Sequence, residues 1–168
     1  FDLSQVEYYI GQLHIFQGRD TEAYSSFSAY RDASEKLIRI DPENVDWVME
    51  MAYALSNLGY FEKNRDPPAS QSAIGFYQSA LEYVEQAILL DEDRRSELAG
   101  FHADLADARL NICDLAGALS SRRQAAELAE QYYLAEPANN KLKRMHAFTL
   151  AGLAHVQQMT GAVEPALV

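Results

Sequence analysis

An alanine followed eighteen residues later by an acid recurs three times, at Ala23 and Asp41, Ala73 and Asp91, and Ala118 and Glu136. A fixed interval marks a repeated structural unit, and repetition constrains a fold tightly because each copy must bury the same face against its neighbours. Twelve residues before two of these alanines stands another small residue, Gly11 before Ala23 and Ala106 before Ala118. Ala154 and Ala166 keep that interval near the end of the chain. Ala52 and Ala73 are twenty-one apart, so nine residues are inserted in the second unit.

Stepping from each alanine with the 3.6-residue helical period writes one amphipathic face three times. From Ala23 it collects Phe27, Tyr30, Leu37 and Ile40; from Ala73, Tyr77, Ala80, Val84, Ala87 and Leu90; from Ala118, Arg122, Ala125, Ala129, Tyr132 and Ala135. Arg122 is the one departure from an apolar stripe. Helices are expected near 3–17, 20–40, 44–59, 71–90, 94–112, 114–135 and 140–160, with an eighth beginning near 162. Asp41-Pro42 and Glu136-Pro137 end helices because the residue before a proline disfavours the α conformation. Asp91-Glu92-Asp93 has no proline and is a weaker break. Gly18, Gly59 and Gly161 fall seven residues after a small residue of a first helix, where a C-terminal cap belongs, and Cys113 holds that place in the third unit. The stretch from Phe61 to Gln71, with Asp66-Pro67-Pro68, is the one long loop expected.

These features resemble the tetratricopeptide repeat family. That family sets a small residue between apolar neighbours on a first helix and an alanine about twelve residues later on the second, then closes with a proline-containing turn. Ile10-Gly11, Met51-Ala52, Leu105-Ala106 and Leu153-Ala154, followed by Ala23, Ala73, Ala118 and Ala166, match that pattern. Trp47, after Asp41-Pro42-Glu43-Asn44, resembles the aromatic that opens a repeat. The resemblance implies an all-α fold: a right-handed α-solenoid of about three and a half antiparallel hairpins, spanning 3–41, 44–91, 94–136 and 140–168 in one domain. The family's unit is about 34 residues, whereas the first-helix small residues here are 41, 54 and 48 apart. The helices are therefore enlarged, in the manner of repeats attached to bacterial kinases, cyclases and transcription regulators.

Composition narrows the functional classes. The chain has 168 residues, 48% of them hydrophobic, and a net charge of −11, which opposes binding to a polyphosphate backbone. No apolar run approaches the roughly 20 residues needed to span a bilayer. A start without methionine and an end inside the last hairpin suggest a piece of a longer protein, with the compartment open: cytoplasmic is expected, periplasmic if a parent chain is membrane-anchored. Cys113, the only cysteine, excludes an internal disulfide.

Chemistry is sparse. His14, His102, His146 and His155 lie on different hairpins without metal-ligand spacing. Cys113 has no histidine nearby in sequence to activate it. Asp91-x-Asp93 begins like a calcium loop but lacks the glycine and terminal glutamate that coordination needs. No glycine-rich phosphate cradle precedes a helix. The expectation is a non-enzymatic chain with no cofactor and no metal. The recurring aromatics, Tyr8, Tyr9, Phe16, Tyr53, Tyr60, Phe61, Phe76, Tyr77, Tyr132 and Tyr133, are expected to be mostly core.

The family resemblance implies a concave wall built from the first helices, lined by Tyr8, Gln12, Ile15, Met49, Tyr53, Ser56, Asn57, Ala103, Asp107 and Asn111. Asn57 and Asn111 are suited to bonding a ligand's backbone, Tyr53 and Met49 to receiving an apolar side chain. The basic residues with which some family members grip a C-terminal carboxylate are missing, so an acidic C-terminal tail is a poor partner. The function implied is a scaffold for a protein or peptide; the alternatives are a regulatory or sensory domain of a larger signalling chain, and self-association into a homo-oligomer.

Overall fold

The computed structural model describes residues 3–161, and all regular structure among them is helical. Seven α-helices follow one another: α1 (Leu3–Phe16), α2 (Asp20–Ile40), α3 (Val45–Asn64), α4 (Ser70–Leu90), α5 (Leu98–Asn111), α6 (Leu115–Ala135) and α7 (Asn140–Thr160). A 3-10 segment, Glu92–Glu97, stands before α5, where an α-helix from residue 94 was expected. The expected eighth helix, with Ala166, lies outside the described residues. Contacts divide the chain into two compact units, Phe1–Arg95 and Ser96–Val168.

The helix ends follow from local chemistry. Asn44 caps α3 by accepting from the Trp47 backbone N–H at 3.2 Å, Asp114 caps α6 through Gly117 at 2.9 Å, and Asn139 caps α7 through Lys141 at 3.0 Å. Each side-chain oxygen satisfies an N–H that the first turn leaves without a helical acceptor. Asp41 and Asp91 make the same turn fifty residues apart: each carboxylate accepts the N–H two residues on, of Glu43 and Asp93, at 3.1 Å. Asp91-x-Asp93 is therefore a helix separator, as its sequence suggested.

Gly18 and Gly161 both have φ +68°, the left-handed conformation of a C-terminal cap. Cys113 adopts it too, with φ 59°, despite its side chain. Gly59 departs from expectation, because it lies inside α3 and caps nothing. A Cβ there would meet the Tyr77 ring at 3.0 Å, so its role is to let that ring lie against the α3 backbone. With no stop at Gly59, α3 continues and buries Phe61. The helix ends only before Asp66-Pro67, and the connection to α4 shrinks to residues 65–69.

In the first unit, α1 pairs with α2 and α3 with α4, and α2 packs on α3. Ala23, Phe27, Leu58 and Phe61 form its central cluster, with Tyr8, Ile15 and Phe76 against them. In the second unit, α6 lies against both α5 and α7. Its core is built from Ala99, Ala106, Ala118, Ala125 and Ala129 with Leu105 and Val156, small side chains that let helix axes approach closely.

The repeated face is buried at its first three positions in every copy, Ala23, Phe27 and Tyr30; Ala73, Tyr77 and Ala80; Ala118, Arg122 and Ala125, whereas Leu37 of the first copy is only half-buried. Burial fails at the far end, where Ile40, Leu90 and Ala135 are exposed. For α2 and α6, 21 residues long, the preceding helices have only 14, so the last turns outrun their partners. The aromatics also depart from a mostly buried set. Phe61 and Tyr77 are in the core, but Tyr9, Phe16 and Tyr60 are exposed and the others half-buried.

Candidate functional site

A cavity of about 320 Å³ opens in the first unit where α1, α2 and α3 meet, lined by Gln5, Tyr8, Tyr9, Tyr30, Glu50, Tyr53 and Asn57. The helical period explains the gathering. Gln5, Tyr8 and Tyr9 lie within one turn of α1; Glu50, Tyr53 and Asn57 lie three and four residues apart on one face of α3. Tyr30 reaches in from the repeated face of α2.

Glu50 is the hub. One of its carboxylate oxygens accepts from the Tyr30 hydroxyl at 2.5 Å, the other from the Gln5 amide at 3.2 Å. Burial of Tyr30 and its bond to Glu50 push the phenol pKa far above its ordinary value, so the ring stays protonated. The Tyr8 ring stands edge-on to Tyr9 at 5.0 Å between centroids and 6.3 Å from Tyr30. Asn57 donates to the Tyr53 carbonyl of its own helix at 2.7 Å, which fixes the amide at the cavity wall.

A second cleft of about 360 Å³ shares Gln5, Glu50 and Tyr53 and continues past Trp47 and Met49 to Asp46 and Arg94. Arg94 is held there by Asp46 at 2.5 Å and Asp91 at 3.6 Å. The two hollows adjoin along α1 and α3 through the shared Gln5, Glu50 and Tyr53, with aromatic rings and carboxylates as their dominant chemistry.

The expected wall residues are thus only partly brought together. Tyr8, Tyr53 and Asn57 line the cavity. Met49 belongs to the adjoining cleft but is 2% exposed, so it is floor and not a receiving surface. Ile15 packs on the Ala23 and Phe27 cluster, and Gln12 and Ser56 are half-buried outside the cavity. In the second unit, Ala103 is buried at 3% exposure, Asp107 is tied to Arg122, and Asn111 is exposed at the end of α5. Ala103 fails as a surface contact because its face of α5 packs inward, as its neighbours Ala99 and Ala106 do.

Gln5, Tyr9, Glu50 and Tyr30 were missed. The first three are neighbours by helical spacing of residues already singled out, so the pattern held that information. Tyr30 stands on the repeated stripe that starts at Ala23, and only its hydroxyl, reaching Glu50 twenty residues away, brings it to the site. Among the described residues, no three His, Cys, Asp or Glu side chains converge as a metal site would require. None of the described helices is long and apolar enough to cross a membrane.

No protein-family profile matches the chain, and no curated protein matches it. Among solved structures it is similar to the crystal structure of MamA protein, with 14% sequence identity over 98% of this chain and 97% of that chain and a TM-score of 0.22. A likeness that loose carries no argument about fold or function.

Proposed function

We propose that this chain is a non-catalytic scaffold that binds an extended segment of another protein in the groove along α1 and α3. The reading includes the tetratricopeptide-like architecture implied by the sequence: a right-handed α-solenoid of about three and a half hairpins in one domain. It is supported by helix pairs that bury one repeated face, and above all by the two adjoining hollows that between them run from Tyr9 to Arg94. Stacked helix pairs commonly present such grooves to peptide segments, with side chains filling pockets and polar groups meeting the backbone.

The test is selection of random 12-residue peptides on the immobilised chain, followed by affinity measurement on Tyr53→Ala. Loss of about tenfold in affinity, with helicity by circular dichroism unchanged, is the expected result. Retained affinity, or a collapse of helicity that would put Tyr53 in the core, would remove the groove from the function.

A further inference from the structure

The cavity between α1, α2 and α3 carries more than shape. Four phenol rings, Tyr8, Tyr9, Tyr30 and Tyr53, surround it with one carboxylate, Glu50, among them. Both donors that reach Glu50, the Gln5 amide and the Tyr30 hydroxyl, are neutral, so they orient the carboxylate without cancelling its charge. Among the described residues no cation pairs with Glu50. Arg94, the one cation among the described residues that line the adjoining cleft, is already engaged by Asp46 and Asp91. Tyr9 stands at the rim, 60% exposed, with ring surface available to a ligand.

Aromatic faces attract cations through the ring quadrupole, and the attraction grows as water is excluded. A carboxylate set among such rings adds a full charge of complementary sign, and the net charge of −11 draws cations toward the surface. An anionic ligand would be repelled by Glu50; a neutral apolar one would cover that charge with nothing to balance it. We propose that the cavity is an aromatic cage for an alkylammonium group, a lysine-type side chain presented by the bound segment. The inference rests on the scaffold reading and specifies its partner: an extended segment with a lysine placed to enter between Tyr8, Tyr9, Tyr53 and Glu50.

Two experiments test it. In the first, the full chain with 13C-labelled tyrosines is titrated by NMR with n-butylammonium and, at matched ionic strength, with n-butanol. Ring signals of the cage tyrosines should respond to the ammonium at least about fivefold more tightly than to the alcohol. Glu50→Gln, whose amide oxygen keeps the Tyr30 bond while its NH2 meets Gln5 once that amide turns its own oxygen inward, should weaken ammonium binding about tenfold, and Tyr9→Leu, which only strips a ring from the rim, should weaken it as well. Equal response to the two probes, or indifference to Glu50→Gln, overturns the cage.

In the second, peptides selected on the chain should share a lysine whose replacement by norleucine abolishes binding. Selected peptides without a cationic preference would overturn the cage and leave the scaffold reading standing. Ammonium binding without any selected peptide would support the cage and count against the scaffold reading.

Discussion

Gly152 on α7 lies directly beneath the guanidinium of Arg122 on α6, and a Cβ at position 152 would stand 2.7 Å from the Arg122 Cζ and Nη1 atoms. Arg122 is 5% exposed, ion-paired with Asp107 and 5.9 Å from the Phe148 ring centroid, so its head group has little room to retreat. Gly152→Ala should therefore destabilise the chain by about 1–3 kcal/mol through overpacking, despite alanine's better helix propensity. Gly75 on α4 has nothing within 4 Å of its would-be Cβ, and there the same change should stabilise by about 0.5–1 kcal/mol. Urea midpoints of the two variants should move in opposite directions.

Arg122 occupies the position held by Phe27 and Tyr77 in the other copies of the repeated face. Its Nε and Nη1 atoms are buried with no hydrogen-bond partner, a cost that the ion pair to Asp107 only partly offsets. Arg122→Met keeps most of the volume and removes those groups, while Asp107, 36% exposed, keeps access to water. Its stability should stay within about 1 kcal/mol of the parent chain. A loss well beyond that, in equilibrium unfolding, would show the pair to be a major stabiliser.

Cys113 sits at a helix end with φ 59°, a conformation costing about 1–2 kcal/mol for a residue with a Cβ. Gly18 and Gly161 meet the same demand without that cost. Cys113→Gly should raise stability by about 0.5–1 kcal/mol, the relieved strain being offset in part by a more flexible unfolded chain. Cys113→Val, β-branched, should lower it. Thermal unfolding of the pair reads the difference.

His102 on α5 has its pKa lowered, first by burial and then by the charge of Arg109. The unfolded chain, with an ordinary value near 6.5, takes up the proton first as pH falls. Stability should therefore be full above about pH 6.5 and decline below it until the folded state is protonated too. Urea midpoints at pH 7.5 and 5.5 should differ in the parent chain, and the difference should shrink in His102→Gln.

The sequence alone determined the helices and most of their ends, because both depend on neighbours within a few residues: proline after Asp41 and Glu136, asparagine or aspartate before α3, α6 and α7, and a repeated apolar stripe. The family resemblance pointed to Tyr8, Tyr53 and Asn57, which the structure places in the lining of one cavity. What the sequence left undecided depended on contacts between helices. Gly59 reads as a cap until the Tyr77 ring is seen against it, and Arg122 reads as a flaw in the stripe until Gly152 and Asp107 receive it. The cavity itself required Gln5, Tyr30 and Glu50, separated by up to forty-five residues, to meet. Periodicity tells which face of a helix turns inward; only packing tells which side chain of the next helix it meets.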